Sequence, residues 1–316
     1  MKSIKKQKGV ALFVTLLVVA IATLLATEIW FNNTLDISRQ SNNRSAYQAK
    51  HYAKGMVLWA FDVLRQDFEQ DSNFDNHSEP WNQTITGVEL EDALLSGRLT
   101  DMDSKFNLNN LMIKGKIHTQ SHEYFKRILQ NLELDVGLAD RIIDWIDADQ
   151  IPLPQGAEDT AYLSRNPSYR TAGQYFQHIS ELKLIADIDE ETYQRLKSFV
   201  TVLPIFGDKP TKININTASI LILKSLDRNI TAKDALNLYK DGNASNKTLV
   251  EFFRQPAIQY HNLNQAELGM LINTRSEWYQ AEVNVKMENV LFQKFALIYR
   301  TSALPVVKNW SETPYL

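Results

Sequence analysis

The first 31 residues constrain this 316-residue chain most, because a basic start is followed by an apolar segment long enough to cross a membrane. Four lysines stand among residues 1–8, Gly9 follows them, and residues 10–27 carry no charge. Glu28 interrupts the segment once, and residues 29–31 extend it to about 20 apolar positions, the length that spans a bilayer. Lysines on the N-terminal side predict that this end stays in the cytoplasm and that the rest lies across the membrane.

The position of Gly9 separates three interpretations of this start. A cleaved secretory signal would use the small residues Ala20 and Ala22, but that cut lies inside the apolar segment. A plain uncleaved anchor explains the length but not the glycine. A short basic leader that ends in glycine and runs directly into a hydrophobic helix resembles a type IV prepilin leader. This resemblance implies that a prepilin peptidase cuts after Gly9 and frees Val10 as the mature N-terminus, and it leaves methylation of that terminus open.

A valine, Val14, stands at the fifth position after Gly9, where most members of the prepilin family carry a glutamate. A carboxylate at that depth in lipid is costly unless it has a partner, and in the family its partner is the N-terminal ammonium of the neighbouring subunit. A subunit with Val14 lacks this means of docking beneath an earlier subunit. The resemblance therefore points to a subunit that begins a filament, at its tip.

The apolar spacing predicts an α+β fold in which a long helix over residues 10–68 packs on an antiparallel sheet. Small and apolar residues recur at three- and four-residue steps on one helical face, namely Ala46, Ala49, Ala53, Val57, Ala60 and Leu64. Residues 69–83 form a polar loop. Apolar positions around a Met-Asp-Ser turn then predict a first strand pair, namely Leu99, Phe106, Leu108 and Leu111. Residues 278–286 and 291–300 predict a second hairpin.

About 160 residues between the two strand regions have a mostly helical pattern. Helices are predicted over residues 128–146, 190–199, 220–226 and 249–253, with Asp189 and Thr217 as N-cap residues. The domain organisation that follows has five parts: a leader (1–9), a transmembrane helix (10–31), a stem helix with the first strands (32–111), an inserted α-helical domain (112–272) and the C-terminal strands of the head (273–316).

Six short segments carry a more specific resemblance: FNLNNL (106–111), DWIDAD (144–149), GAEDTAYL (156–163), SELKLI (180–185), VTVLP (200–204) and ININTAS (213–219). In this order, behind a prepilin leader, they resemble the minor pseudopilin K family of type II secretion systems. The resemblance implies a pseudopilin fold interrupted by a large all-helical, SAM-like domain, and a single-pass protein of the bacterial inner membrane with a periplasmic head. It also implies partners, which are the H, I and J types of minor pseudopilin and the major pseudopilin.

That resemblance assigns the chain to the tip of the pseudopilus, the filament that drives export of folded proteins from the periplasm across the outer membrane. A K-like minor pilin of a type IV pilus or competence system is the alternative. A membrane-anchored calcium-binding enzyme is a third possibility from another class, but no nucleophile and base accompany the paired acids, and no P-loop pattern is present. We therefore expect a protein without enzymatic activity.

An acidic stretch inside the inserted domain is the candidate metal site. Asp144, Asp147 and Asp149 end a predicted helix, and a loop with prolines and a glycine leads from them to Glu158 and Asp159. Carboxylates on an irregular loop suit calcium, although the spacing is not that of an EF-hand. A solvated loop neutralised by nearby arginines is the alternative, with Arg141, Arg165 and Arg170 as candidates. The resemblance implies calcium, with Asp147, Asp149, Glu158 and Asp159 as the favoured ligands.

Composition excludes several other functions. The sequence has no cysteine, so disulfides, thiolate catalysis and cysteine-bound zinc are excluded. Its 34 basic and 37 acidic residues give a net charge of −3, which provides no general attraction to nucleic acid. The motif at 213–219 also occurs before helices in helix–hairpin–helix DNA-binding proteins, but the glycine-rich hairpin and basic face of that class are missing. We therefore expect no nucleic-acid partner.

Overall fold

The computed structural model describes residues 10–71, 73–288, 290–301 and 304–314. The predicted leader, including Gly9, lies outside the described residues. Helix α1 (Val10–Gln70) runs unbroken over 61 residues, which confirms the predicted helix and makes it about 90 Å long. Its first half is exposed throughout, and by length and composition it is the one helix of the described chain that could cross a membrane.

The second half of α1 packs on a sheet through the predicted face. Ala49, Ala53, Val57 and Leu64 are buried there, whereas Ala46 remains exposed. Small side chains let the helix axis approach the strands closely, so the long stem is fixed against the head along one line of contacts.

Two antiparallel strands follow the stem, β1 (Ile85–Leu90) and β2 (Ala93–Asp101). The predicted pairing of Leu99 with the segment 106–111 is therefore wrong. After β2 the chain leaves the sheet, and Leu108–Leu111 forms a short 3-10 helix whose apolar side chains belong to the core of the inserted domain. Buried Asn107 and Asn109 explain this, because both donate side-chain hydrogen bonds to the carbonyl of Leu203 at 3.1 Å.

The inserted domain thus begins directly after Asp101 and not at residue 112. Its elements are β3 (Phe106–Asn107), β4 (Met112–Ile113), β5 (Lys116–Ile117), α2 (Thr119–Asn131), α3 (Leu138–Ile146), α4 (Asp159–Leu163), α5 (Glu190–Leu196), β6 (Val200–Thr201), β7 (Ile213–Asn214), α6 (Ile220–Lys224), α7 (Ala232–Tyr239), α8 (Leu249–Phe253), α9 (Pro256–Gln259), α10 (Gln265–Leu271) and β8 (Ile272–Asn273). Strands β3 and β6 pair in parallel, as do β7 and β8, and β4 pairs antiparallel with β5. One large hydrophobic core joins the helices.

Two local predictions for this domain need correction. The helix predicted over 128–146 is two helices, α2 and α3, because the chain turns after Asn131 and Glu133 adopts a left-handed backbone with φ of 54°. Thr217 does not cap α6; Ser219 does, and its hydroxyl accepts from the amide of Ile222. Asp189 caps α5 as predicted, accepting from the amide of Thr192.

The chain re-enters the sheet at β9 (Trp278–Met287), which forms the predicted hairpin with β10 (Val290–Tyr299). A further strand, β11 (Val306–Ser311), completes a five-stranded antiparallel sheet in the order β1-β2-β9-β10-β11. The long helix on an antiparallel sheet with a large, mostly helical insertion confirms the predicted fold class. A separate core between α1 and the inner face of the sheet holds this part together.

A buried arginine ties the stem to the end of the sheet. Arg300, just after β10, donates to Asp67 of α1 at 2.8 Å and to the hydroxyl of Tyr279 at 2.7 Å, and it also binds Asp75. A neighbouring carboxylate, Asp101, accepts hydrogen bonds from Ser276 at 2.6 Å and from Thr217 of the inserted domain. Burial raises the pKa of Asp101 to about 6, against the effect of these hydrogen bonds. Stem, sheet and insertion therefore meet at one polar cluster.

Removing the charge of Arg300 is expected to destabilise the polar cluster at which stem, sheet and insertion meet. Arg300→Met leaves Asp67 and Asp75 buried without their cation, which should lower the free energy of unfolding by about 3–5 kcal/mol. Denaturant unfolding of the full-length protein in detergent, followed by near-UV circular dichroism, measures the loss. Arg254→Met, at an exposed position, is the control and should change stability by less than about 0.5 kcal/mol. Equal stability of the two variants would contradict this role for Arg300.

Candidate functional site

The acidic stretch of the inserted domain folds into a cluster of three carboxylates. Asp144 lies in the last turn of α3, Asp147 follows that helix, and Glu158 precedes α4. One oxygen from each of the three lies within 4.8 Å of the other two. Asp144 and Glu158 are buried and Asp147 is half-buried, so the group is largely shielded from water.

The loop between Asp147 and Glu158 is held in place by carboxylates of α3. The amide of Leu153 donates to Asp144 at 3.1 Å, and the amide of Gln155 donates to Asp140 at 3.3 Å. A Cβ atom at Gly156 would lie 1.8 Å from a carboxylate oxygen of Asp144. Only glycine therefore lets the loop return close enough to bring Glu158 to the cluster.

The cluster has more negative charge than its neighbours neutralise. Both oxygens of Glu158 and Oδ1 of Asp147 are buried without a hydrogen-bond partner. Burial raises the pKa of Glu158 to about 7, with repulsion from Asp144 and Asp147 adding to it, and burial raises the pKa of Asp144 and Asp147 to about 6. Desolvation and mutual repulsion therefore both disfavour the fully charged form of the cluster.

The nearby arginines do not supply that cation. Arg141 pairs with Asp135 at 2.8 Å and Asp187 at 3.3 Å, and Arg170 pairs with Asp159 at 3.3 Å. Arg165 donates to the hydroxyl of Tyr169. The alternative of an arginine-neutralised loop therefore fails for this cluster, and unpartnered carboxylate oxygens converging within a few ångström fit a hard divalent cation such as calcium.

The four ligands favoured from the sequence divide into two pairs. Asp147 and Glu158 lie in the cluster. Asp149 is exposed and accepts from the amide of Ile151, whereas Asp159 accepts from the amide and hydroxyl of Thr171 and pairs with Arg170. Asp144 is the cluster member that the favoured set lacked. The sequence did contain a signal for Asp144, because it stands three residues before Asp147 at the end of a predicted helix and Gly156 follows nearby.

A second acidic group lies where the stem meets the head, and each of its carboxylates has a hydrogen-bond donor. Asp67, Asp75 and Glu79 also bring oxygens within 4.8 Å of one another. Arg300 pairs with both aspartates, and the indole of Trp81 donates to Glu79 at 2.8 Å. Burial nevertheless raises the pKa of Asp67 to about 6 and that of Glu79 to about 7, so the two groups differ in their hydrogen-bond partners and not in the direction of these shifts.

The motif 213–219 has a structural role at the same junction. The side-chain amide of Asn214 donates to the carbonyl of Asp75 at 3.0 Å and that of Asn216 to the carbonyl of Asn246 at 3.0 Å. Both asparagines are buried. The motif therefore fastens the inserted domain to the loop after the stem, through Asn214, and also internally, through Asn216.

Two of the three N-terminal candidate residues, Val10 and Val14, lie on the exposed part of α1. Gly9 lies outside the described residues, Val10 begins the helix, and Val14 follows about one turn later with 48% of its surface exposed. An apolar, unpartnered helix of this length is what a membrane anchor requires.

Comparison with known proteins identifies the family. A family model described as type II secretion system (T2SS), protein K matches residues 104–205. Type II secretion system protein K of Pseudomonas aeruginosa is 39% identical over 70% of this chain and 68% of its own length, and that of Klebsiella pneumoniae is 28% identical over 93% of both. A chain in the crystal structure of the GspK-GspI-GspJ complex from enterotoxigenic Escherichia coli aligns with a TM-score of 0.73 at 20% identity, covering 86% of this chain and 98% of that one. The chain therefore belongs to the protein K family of the type II secretion system, and it has the pseudopilin fold with a helical insertion.

Proposed function

We propose that this chain is the tip subunit of the type II secretion pseudopilus and acts without enzymatic activity. The observation that carries the proposal is the size and position of the insertion. It leaves the sheet between two adjacent strands and builds its own large core beside the head. Such bulk is difficult to repeat along a tightly wound filament but is accommodated at its end, and Val14 removes the carboxylate by which a subunit docks beneath another.

Assembly follows from the two halves of α1 in this proposal. The prepilin peptidase cuts after Gly9, the exposed apolar half stays in the inner membrane, and the head stands in the periplasm. The half of α1 that packs on the sheet transmits any displacement of the membrane segment to the head as one rigid rod. Partners resembling GspI and GspJ, which accompany the structural neighbour in its complex, join the head together with an H-type subunit, above the major pseudopilin.

Calcium has a structural role in this proposal. Asp144, Asp147 and Glu158 would hold the ion, and it would supply the positive charge that their buried oxygens lack. The ion would fix the loop of residues 147–158 against α3. Sites outside the cytosol function at weak affinity because calcium is abundant there.

Processing at the leader tests the anchor. Gly9→Val places a branched side chain at the scission point, so the leader should remain attached and secretion of folded exoproteins should stop. Intact-mass spectrometry of the membrane-extracted protein measures the N-terminus. Gly9→Ala keeps a small side chain and is the matched control, for which cleavage before Val10 is expected. A Gly9→Val protein of normal mature mass that supports normal secretion would contradict the proposal.

Position in the filament tests the tip assignment. An epitope fused after Leu316 should label pseudopili at one end, as seen by immunogold electron microscopy. The same epitope on the major pseudopilin should label the whole length. Label spaced along the filament by the protein described here would overturn the tip assignment, even if leader cleavage proceeds as expected.

Metal removal tests the calcium site. A chelator should lower the melting temperature of the full-length protein in detergent, and added calcium should restore it. Glu158→Gln should weaken calcium binding by about 10-fold or more, because it removes one of three charged ligands. Asp149→Asn, outside the cluster, is the matched control and should bind as the parent protein does. The absence of a chelator effect on the parent protein, or an equal loss of calcium affinity in both variants, would contradict a calcium site here.

A further inference from the structure

A cleft of about 400 Å³ lies between the inserted domain and the sheet. On the domain side it is lined by Lys105 and Lys197, and on the sheet side by Arg98 of β2 and Glu282 of β9. The sheet residues belong to the face opposite α1, because Tyr279, Ala281 and Val283 of β9 pack in the core with the stem helix and the residues between them point the other way.

The carboxylate that lines this cleft is fully engaged. Glu282 pairs with Arg98 through a hydrogen bond of 2.7 Å. Its other oxygen accepts from Asn284 and Gln293, each at 3.2 Å. Arg98 and Glu282 therefore neutralise each other, and the charge that remains in the cleft is that of the two lysines.

Lys105 and Lys197 have no such partner. Within the described residues, no carboxylate lies within 4 Å of either amine. The half-buried Lys105 amine makes one long hydrogen bond, 3.4 Å, to the carbonyl of Lys197. Glu190 pairs with Lys183 at 2.8 Å, and that hydrogen bond lowers its pKa more than the positive charge of Lys197 does. Two ammonium groups beside a cleft, one of them partly desolvated, carry an electrostatic cost that an anion would remove.

We propose that this cleft binds a carboxylate group, held by the amines of Lys105 and Lys197. Lysine amines bind carboxylates and phosphates alike, but the apolar side of the cleft favours an anion carried on a carbon stem, such as a carboxylate. Phe295 and Pro314 give the cleft an apolar wall for the carbon stem of the ligand. The carboxylate comes either from a small organic acid or from an acidic side chain of a neighbouring protein, and the chemistry of recognition is the same.

Binding should depend on pH in a defined direction. Burial, together with the positive charge of Lys197, lowers the pKa of Lys105 to about 8. The amine is therefore charged below pH 8 and loses its proton above it. Of the other groups facing it, Arg98 and Glu282 keep their mutual ion pair. Affinity for a carboxylate should be constant near neutrality and should fall as the pH rises through about 8.

The experiment compares sodium acetate with sodium chloride at equal ionic strength, using the full-length protein in detergent. Acetate should raise the melting temperature of the parent protein by about 2 °C or more beyond chloride. Lys105→Met and Lys197→Met should lose this difference. Lys286→Met, an exposed lysine farther along β9, is the matched control and should retain it. Any general salt effect of acetate appears in all variants and cancels in the comparison.

A second probe distinguishes a small organic acid from an acidic side chain as the source of the carboxylate. If the cleft serves an acidic side chain, N-acetyl-Glu-Glu-amide should bind more tightly than acetate by calorimetry, and Lys105→Met should abolish the gain. If it serves a small organic acid, acetate should bind at least as well as the peptide. The same melting temperature in acetate and chloride for the parent, or an acetate effect that persists in Lys105→Met, would overturn the proposal. Neither outcome bears on the tip assignment.

Discussion

The buried guanidinium of Arg300 is the point on which the arrangement of stem, sheet and insertion depends. It binds Asp67 at the end of α1 and Asp75 in the loop that follows, and it also donates to the hydroxyl of Tyr279 on the sheet. The neighbouring carboxylate of Asp101 accepts a hydrogen bond from Thr217 of the inserted domain. Because breaking a buried ion pair by removing one partner is strongly destabilising, these contacts tie stem, sheet and insertion together at one place.

The two acidic clusters contain the same types of residue but differ in their hydrogen-bond partners. At the stem junction, every carboxylate has a donor nearby, since Arg300 and the indole of Trp81 supply positive charge and hydrogen bonds. In the inserted domain, the neighbouring arginines pair elsewhere, and oxygens of Asp147 and Glu158 remain without partners. Of the two clusters, the one in the inserted domain is therefore the one whose buried carboxylate oxygens lack a hydrogen-bond partner. Counting acids along the sequence does not distinguish these situations.

The parts of the structure that the sequence predicts are those governed by local periodicity. The stripe of small residues from Ala49 to Leu64 specifies α1, and alternation specifies the β9–β10 hairpin. The errors arise where distant contacts decide. Asn107 and Asn109 draw their segment into the insertion through bonds to Leu203, almost a hundred residues away. Strand β11 exists through its pairing with β10, and the role of Asp144 depends on where the loop at Gly156 returns.

The chain leaves the sheet after Asp101 and re-enters it at Trp278, and these two points are hydrogen-bonded neighbours, with the amide of Met102 donating to the carbonyl of Trp278 at 2.9 Å. Asp101 also sits opposite Tyr279 in the antiparallel ladder. In the topology of the sheet, the whole insertion therefore takes the place of the loop of one hairpin. A β2–β9 turn of a few residues would satisfy the same register, so the strand order does not depend on the length of the chain between the two strands.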